Sequence, residues 1–122
     1  MTQIRYTFLL PYPPVTGNHT TRSGRGRFWT AEKAKQYRGQ VAILIRSAGL
    51  SLSLKGPLSI ELLVAPPDRR ARDQDNLQKV VFDSLTRAKF WADDSNKVIR
   101  KAVVEWTDPV PGGAIEMSVV VL

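Results

Sequence analysis

The chain has 122 residues, with 18 lysines and arginines against 11 aspartates and glutamates, and a formal net charge of +7. That length suffices for one domain, residues 1–122, burying roughly two-thirds of its unfolded surface. The absence of cysteine excludes a disulfide framework, a thiolate metal site and a thiol nucleophile, and the basic excess points to a polyanionic partner, a nucleic acid or an acidic membrane surface.

Ile4–Leu10 (IRYTFLL) is rich in β-branched, aromatic and leucine residues and predicts a first strand. Its apolar stretch is too short for a signal peptide. Pro11, Pro13 and Pro14 end it. From Val15 to Thr30 the chain shows no clear period and contains Gly17, Gly24, Gly26, Arg22, Arg25 and Arg27. A loop of that length is functional or disordered, and the basic reading is a loop that orders on DNA. It lacks the GxxxxGKS spacing of a nucleotide-binding loop. His19, the only histidine, is either a general base or an ordinary surface residue.

Thr30 predicts an N-cap for a helix over Ala31–Ala48, with Gly49 as its stop. Ala34, Tyr37, Val41, Ile45 and Ala48 define its core face. Val41–Ile45, the longest apolar run of this helix, is far below the ~18 residues of a membrane span, so no membrane segment is expected. Pro57–Val64 predicts a second strand, broken by Ala65-Pro66-Pro67.

Next comes DRRARDQDNLQKVVFDSLTRAKFWADDSNK, from Asp68 to Lys97, which holds Asp68, Asp73, Asp75, Asp83, Asp93 and Asp94. Asp73 and Asp75 lie two apart before a predicted helix, where extended backbone would aim both side chains the same way. Asp75 occupies an N-cap position with Gln78 as capping-box partner, and Lys79 follows one turn later. The helix is predicted over Asn76–Ala88, with Leu77, Val80, Val81, Phe82, Leu85 and Ala88 apolar. Asp83 is either the i,i+4 partner of Lys79 or a ligand. Phe90 and Trp91 read as core anchors rather than base-stacking residues. Arg69, Arg70 and Arg72 either form surface ion pairs or hold phosphate, which a guanidinium grips in two places.

Val98–Trp106 and Ala114–Leu122 complete the pattern as strands, joined by a turn through Asp108-Pro109 and Pro111-Gly112-Gly113. The predicted class is α/β (α+β), a small mixed β-sheet packed with two helices in the order β-α-β-α-β-β.

Two carboxylates about 5 Å apart repel by roughly 3 kcal/mol at an effective dielectric near 20. Three would cost about 10 kcal/mol, comparable to the ~5–15 kcal/mol stability of a domain. Either the aspartates do not converge, or a cation lies among them. Oxygen donors without histidine or cysteine favour a hard cation, Mg²⁺ or Mn²⁺.

The run RARDQDNLQKVVFDSLTRAKFWADD resembles the signature of the RusA family of Holliday-junction resolvases. The matching elements are Asp73-x-Asp75-Asn76, Lys79, Phe82-Asp83-x-Leu85 and Phe90-Trp91-x-Asp93-Asp94. Asn18 is similar to the asparagine these proteins carry after a Pro-Pro pair, displaced here by Val15–Gly17 and followed by no aromatic at Thr20–Thr21. The resemblance implies an Mg²⁺-dependent endodeoxyribonuclease, with Mn²⁺ as a substitute, acting as a homodimer on branched four-way DNA in recombination and repair. It further implies a phage or prophage origin and the cytoplasm of a bacterial host. Asp73, Asp75, Asp93 and Asp94 are then the metal ligands and Asp73, Asp75, Lys79 and Asp94 the catalytic set. Arg22, Arg25, Arg27, Arg69, Arg70 and Arg72 are the expected DNA contacts. Two other readings use the same residues. One is a non-catalytic basic nucleic-acid-binding protein whose aspartates are structural; the other is an Mg²⁺-dependent nucleotide phosphohydrolase.

Overall fold

Strand β2, Leu58–Ala65, sends alternate residues to opposite faces, and Leu58, Ile60, Leu62 and Val64 share one fully buried face. A computed structural model of the chain describes residues 3–14 and 24–122, and for 24–31 the backbone path only. β4, Ala114–Val121, lies antiparallel to β2, with Val119 opposite Ile60, Met117 opposite Leu62 and Ile115 opposite Val64. All six side chains are buried. Each stabilises the fold by roughly 1.5–3 kcal/mol relative to exposure. β1, Arg5–Leu10, pairs antiparallel with the other edge of β4, bringing Tyr6, Phe8 and Leu10 opposite the same three β4 residues. β3, Ile99–Trp106, runs parallel to β2, so the mixed sheet has the order β1-β4-β2-β3.

The two helices are α1, Gly24–Ser47, and α2, Gln74–Arg87, and they pack on each other. Among the described residues four strands and two helices follow the predicted order β-α-β-α-β-β. Contacts divide the chain into two compact units. A sheet unit comprises Met1–Tyr12, Ser53–Arg70 and Trp91–Leu122; a helical unit comprises Pro13–Leu52 and Ala71–Phe90. Tyr37, Val41 and Ile45 are buried on α1, and Leu77, Val81, Phe82 and Leu85 on α2. Burial pushes the Tyr37 phenol pKa up, which keeps the ring neutral in its apolar setting. Ser84, also buried, donates its hydroxyl to the Val80 carbonyl at 2.7 Å and leaves no polar atom unpaired.

Two helix starts differ from the sequence-based expectation. α1 begins at Gly24 rather than Ala31, so residues 24–30 are helix and not loop. Each glycine costs about 1 kcal/mol in a helix, but prolonging a helix already nucleated by 31–47 avoids the nucleation penalty. α2 begins at Gln74 rather than Asn76. Arg22, Asn18 and His19 lie outside the described residues.

The helix ends share one device. Gly49, at φ +72°, donates to the Arg46 carbonyl while Leu50 donates to Ile45, closing α1 as predicted. α2 closes in the same way, with Lys89 donating to Thr86 and Phe90 to Leu85, but its left-handed position is filled by a lysine at φ 65°.

Gly56 combines φ +77° with a Cβ direction that points into the backbone carbonyl of Val98. Gly56→Ala is expected to lower stability by about 2 kcal/mol or more. Gly39 lies exposed within α1 with open space around it, and Gly39→Ala is expected to raise stability by about 1 kcal/mol. Chemical denaturation of the two variants beside wild type reads both signs.

Candidate active site

The aspartate stretch occupies the connection between β2 and β3, and hydrogen bonding sorts its carboxylates. At its start, Asp68 accepts the backbone N–H of Arg70 at 2.9 Å and receives that residue's guanidinium, Nη2 to Oδ2 at 3.0 Å. The bond from Asp68 holds Arg70 still more firmly protonated. Of the predicted DNA contacts, Arg70 is thus engaged locally, Arg69 is exposed and Arg72 is half-buried. Arg25 and Arg27 lie on α1 rather than in a loop.

Asp73 is the N-cap of α2. Its backbone is extended, at φ −91° and ψ 117°, and its Oδ1 accepts the N–H of Asp75 at 2.9 Å. The cap therefore falls two residues before the expected position. Asp75 is not in extended backbone beside Asp73 but in the first helical turn, where the helix dipole favours a negative charge. Starting the helix at Gln74 lets one aspartate cap it and the other complement the dipole, and the predicted pairing of Asp75 with Gln78 as a capping box is lost. The placement of Lys79 holds: it lies one turn after Asp75 on the same helix, and both side chains are exposed. Among the described residues neither has a hydrogen-bond or ion-pair partner.

Asp83 does not pair with Lys79. Its partners are Arg87, one turn on, with Nε 3.1 Å from Oδ2, and Arg38 of α1 at 3.9 Å. Two guanidinium groups compensate this carboxylate, which takes it out of the candidate ligands.

In the sheet unit, the backbone N–H of Ala92 donates to the Leu54 carbonyl at 2.8 Å, and Trp91 forms a parallel bridge with Leu54. Trp91 is 1 % exposed and Phe90 is fully buried, so both are core anchors as predicted. Asp93 and Asp94 follow, both exposed. The Ser95 hydroxyl bonds the Asp93 carboxylate and holds its pKa below the usual range, aided by the backbone N–H groups of Asp94 and Ser95. Asp93 accepts the Asp94 N–H at 2.8 Å. The Asp94 carboxylate has no partner among the described residues. This division between the two aspartates went unread in the sequence, although Asp-Asp-Ser is a turn signal.

The donors are all oxygens on exposed carboxylates, a set that fits a hard divalent cation. Among the described residues no three acidic or histidine side chains form a ready-made cage. Mg²⁺ does not require one, because it keeps several waters and binds through one or two carboxylates together with substrate phosphates.

The model of the family described as Endodeoxyribonuclease RusA matches residues 11–118 of this chain. The chain belongs to the RusA family. It is 42% identical over 115 residues to the Crossover junction endodeoxyribonuclease RusA of Escherichia coli (strain K12), a match covering 93% of this chain and 92% of that protein. The Crossover junction endodeoxyribonuclease rusA of Enterobacteria phage 82 and its namesake from Shigella sonnei (strain Ss046) are each 41% identical over the same shares. The RusA match takes in both units and all six aspartates from Asp68 to Asp94.

The capping role of Asp73 separates its structural from its chemical part. Asp73→Ala is expected to cost about 1 kcal/mol, Asp73→Asn only a few tenths, because asparagine caps as well as aspartate. Thermal melts of both variants check this without any metal or DNA.

Proposed function

We propose that this protein is a metal-dependent crossover junction endodeoxyribonuclease that resolves four-way DNA junctions by hydrolysing symmetric phosphodiesters in recombination and repair. The observation that carries the reading is RusA membership across residues 11–118. The sorting of the aspartates supports it, since Asp75 and Asp94 are left exposed without described partners in a chain of net charge +7. The 122 residues act as a single RusA-like endonuclease domain.

Asp73, Asp75 and Asp94, together with Asp93, are the proposed ligands of Mg²⁺, with Mn²⁺ as a substitute. A bound divalent cation supplies Lewis acidity for activating water and offsetting charge on the scissile phosphate. Asp73 commits one oxygen to a backbone N–H, which fixes its orientation and leaves the second oxygen available, while Asp93 is oriented by Ser95 and by the backbone N–H of Asp94. Lys79 brings an uncommitted ammonium beside Asp75 on α2, suited to neutralising charge that grows on a phosphate in the transition state. Arg22, Arg25, Arg27, Arg69, Arg70 and Arg72 are proposed to capture the phosphates flanking the cut. A junction with two-fold symmetry suits a homodimer that cuts opposing strands. Relatives in Escherichia coli and in phage 82 favour a phage or prophage origin and action in the host cytoplasm. Among the described residues no helix is long and apolar enough to cross a membrane.

A labelled synthetic four-way junction in Mg²⁺, beside linear duplex and flap substrates, tests the reading. Wild type is expected to place paired symmetric nicks in the junction alone. Asp75→Asn is expected to lose cleavage by at least about a hundredfold while binding the junction in EDTA as wild type does. Asp83→Asn, which loses the ion pairs to Arg87 and Arg38 and no proposed ligand, is expected to cut normally. Junction binding with no cut in either Mg²⁺ or Mn²⁺ would leave a DNA-binding protein and remove the enzyme.

A further inference from the structure

We propose that Lys55, Lys97, Arg100 and Lys101 form a phosphate-binding surface around the Asp93–Asp94 turn, which holds the DNA backbone leading away from the cut. The proposal rests on the junction-cleaving function above and adds to it a contact surface that the arginine clusters do not include.

The sheet unit brings these four residues together through a chain of backbone contacts. Segment 54–58 runs beside segment 91–99. The Ala92 N–H meets the Leu54 carbonyl at 2.8 Å, and the Leu58 N–H meets the Val98 carbonyl at 2.7 Å. Between these two bonds Gly56 lies directly against the Val98 backbone, an approach that a Cβ would block. Lys55 precedes Gly56 and Lys97 precedes Val98, so the strip carries one lysine from each segment.

The chain then turns sharply. The Ser95 carbonyl accepts the N–H groups of both Val98 and Ile99, and β3 starts at once. In the first step of the β2–β3 ladder the register shifts. Ile99 faces Leu58 and Lys101 faces Ser59, leaving Arg100 as the extra residue of a bulge. The bulge holds Arg100 and Lys101 at the end of β3 nearest the aspartate turn.

All four residues are exposed, and among the described residues none of their charged side-chain groups has a hydrogen-bond or ion-pair partner. By contrast Arg38, Arg70 and Arg87 are each tied to an aspartate. Grouping like charges about 10 Å apart in water costs roughly 0.4 kcal/mol per pair. A polyanion would offset it. Asp93 and Asp94 precede Lys97 in the same segment, and in the proposed function their charge is directed to a cation. Most protein–DNA hydrogen bonds from lysine and arginine go to phosphate oxygens, so the surface is assigned to positioning DNA.

Each phosphate contact contributes about 0.9 to the slope of log affinity against log salt concentration on duplex DNA. Binding of a catalytically silent Asp75→Asn protein to a four-way junction in EDTA, titrated with salt, gives that slope. Adding Lys55→Gln, Lys97→Gln, Arg100→Gln and Lys101→Gln together is expected to flatten it by about 3–4, and each alone by about 1. Arg5→Gln, on the opposite edge strand of the same sheet, controls for lost net charge. Patch variants that change the slope no more than Arg5→Gln, with unaltered circular dichroism, would overturn the proposal and leave the function intact. Failure of the unsubstituted protein to bind junction DNA at all would overturn both.

Discussion

The parallel pairing of β2 with β3 is the constraint on which the rest of the structure depends. Antiparallel neighbours can be joined by a tight turn, but parallel neighbours need a long connection that carries the chain back to its starting end. Here that connection runs from Ala65 to Ile99 and contains α2 and all six clustered aspartates. β4 then inserts between β1 and β2, antiparallel to both, and places Ile115, Met117 and Val119 in the middle of the buried face. The proposed site residues thus lie in a connecting segment, while the buried strands supply the stability.

Within that segment, local hydrogen bonding differentiates residues of identical chemistry. Asp68 engages Arg70, Asp83 engages Arg87 and Arg38, Asp73 caps a helix and Asp93 organises a turn. Among the described residues, Asp75 and Asp94 retain carboxylates committed to nothing. The distinction is energetic as well as geometric. An exposed carboxylate tied to guanidinium groups is already compensated, whereas a lone acid needs an external partner to reduce its repulsion from a neighbour. Asp73 is intermediate, with one oxygen engaged and oriented and the other available, whereas Asp93 is held by Ser95 and the Asp94 N–H.

Much of the fold was legible from local pattern. The four strands fall within a residue of their predicted limits, because alternation over six to eight residues specifies a half-buried strand wherever its neighbours lie. Gly49 stops α1 as expected, because a left-handed C′ position requires little beyond a glycine. The start of α1 was misread because Gly24 and Gly26 suggest a breaker, and propagation from a long established helix outweighed them. The start of α2 was misread because Asp73 and Asp75 are equally good caps by residue type. Family and reaction were legible in the spacing of Asp73, Asp75, Lys79 and the Phe90–Asp94 run, which composition alone would not have singled out.

The sequence by itself determined the kind and order of the elements, most of their buried positions and the family, since each depends on residues within a few positions of one another. Tertiary structure decided the order β1-β4-β2-β3, the partner of Asp83 and the gathering of Lys55 with Lys97, Arg100 and Lys101. Four apolar alternating strands offer many pairings of similar local quality, and only burial of the whole face selects one. Charges distant in sequence become neighbours only after that selection is made, which is why the cationic strip beside Asp93 and Asp94 belongs to the fold and not to any motif.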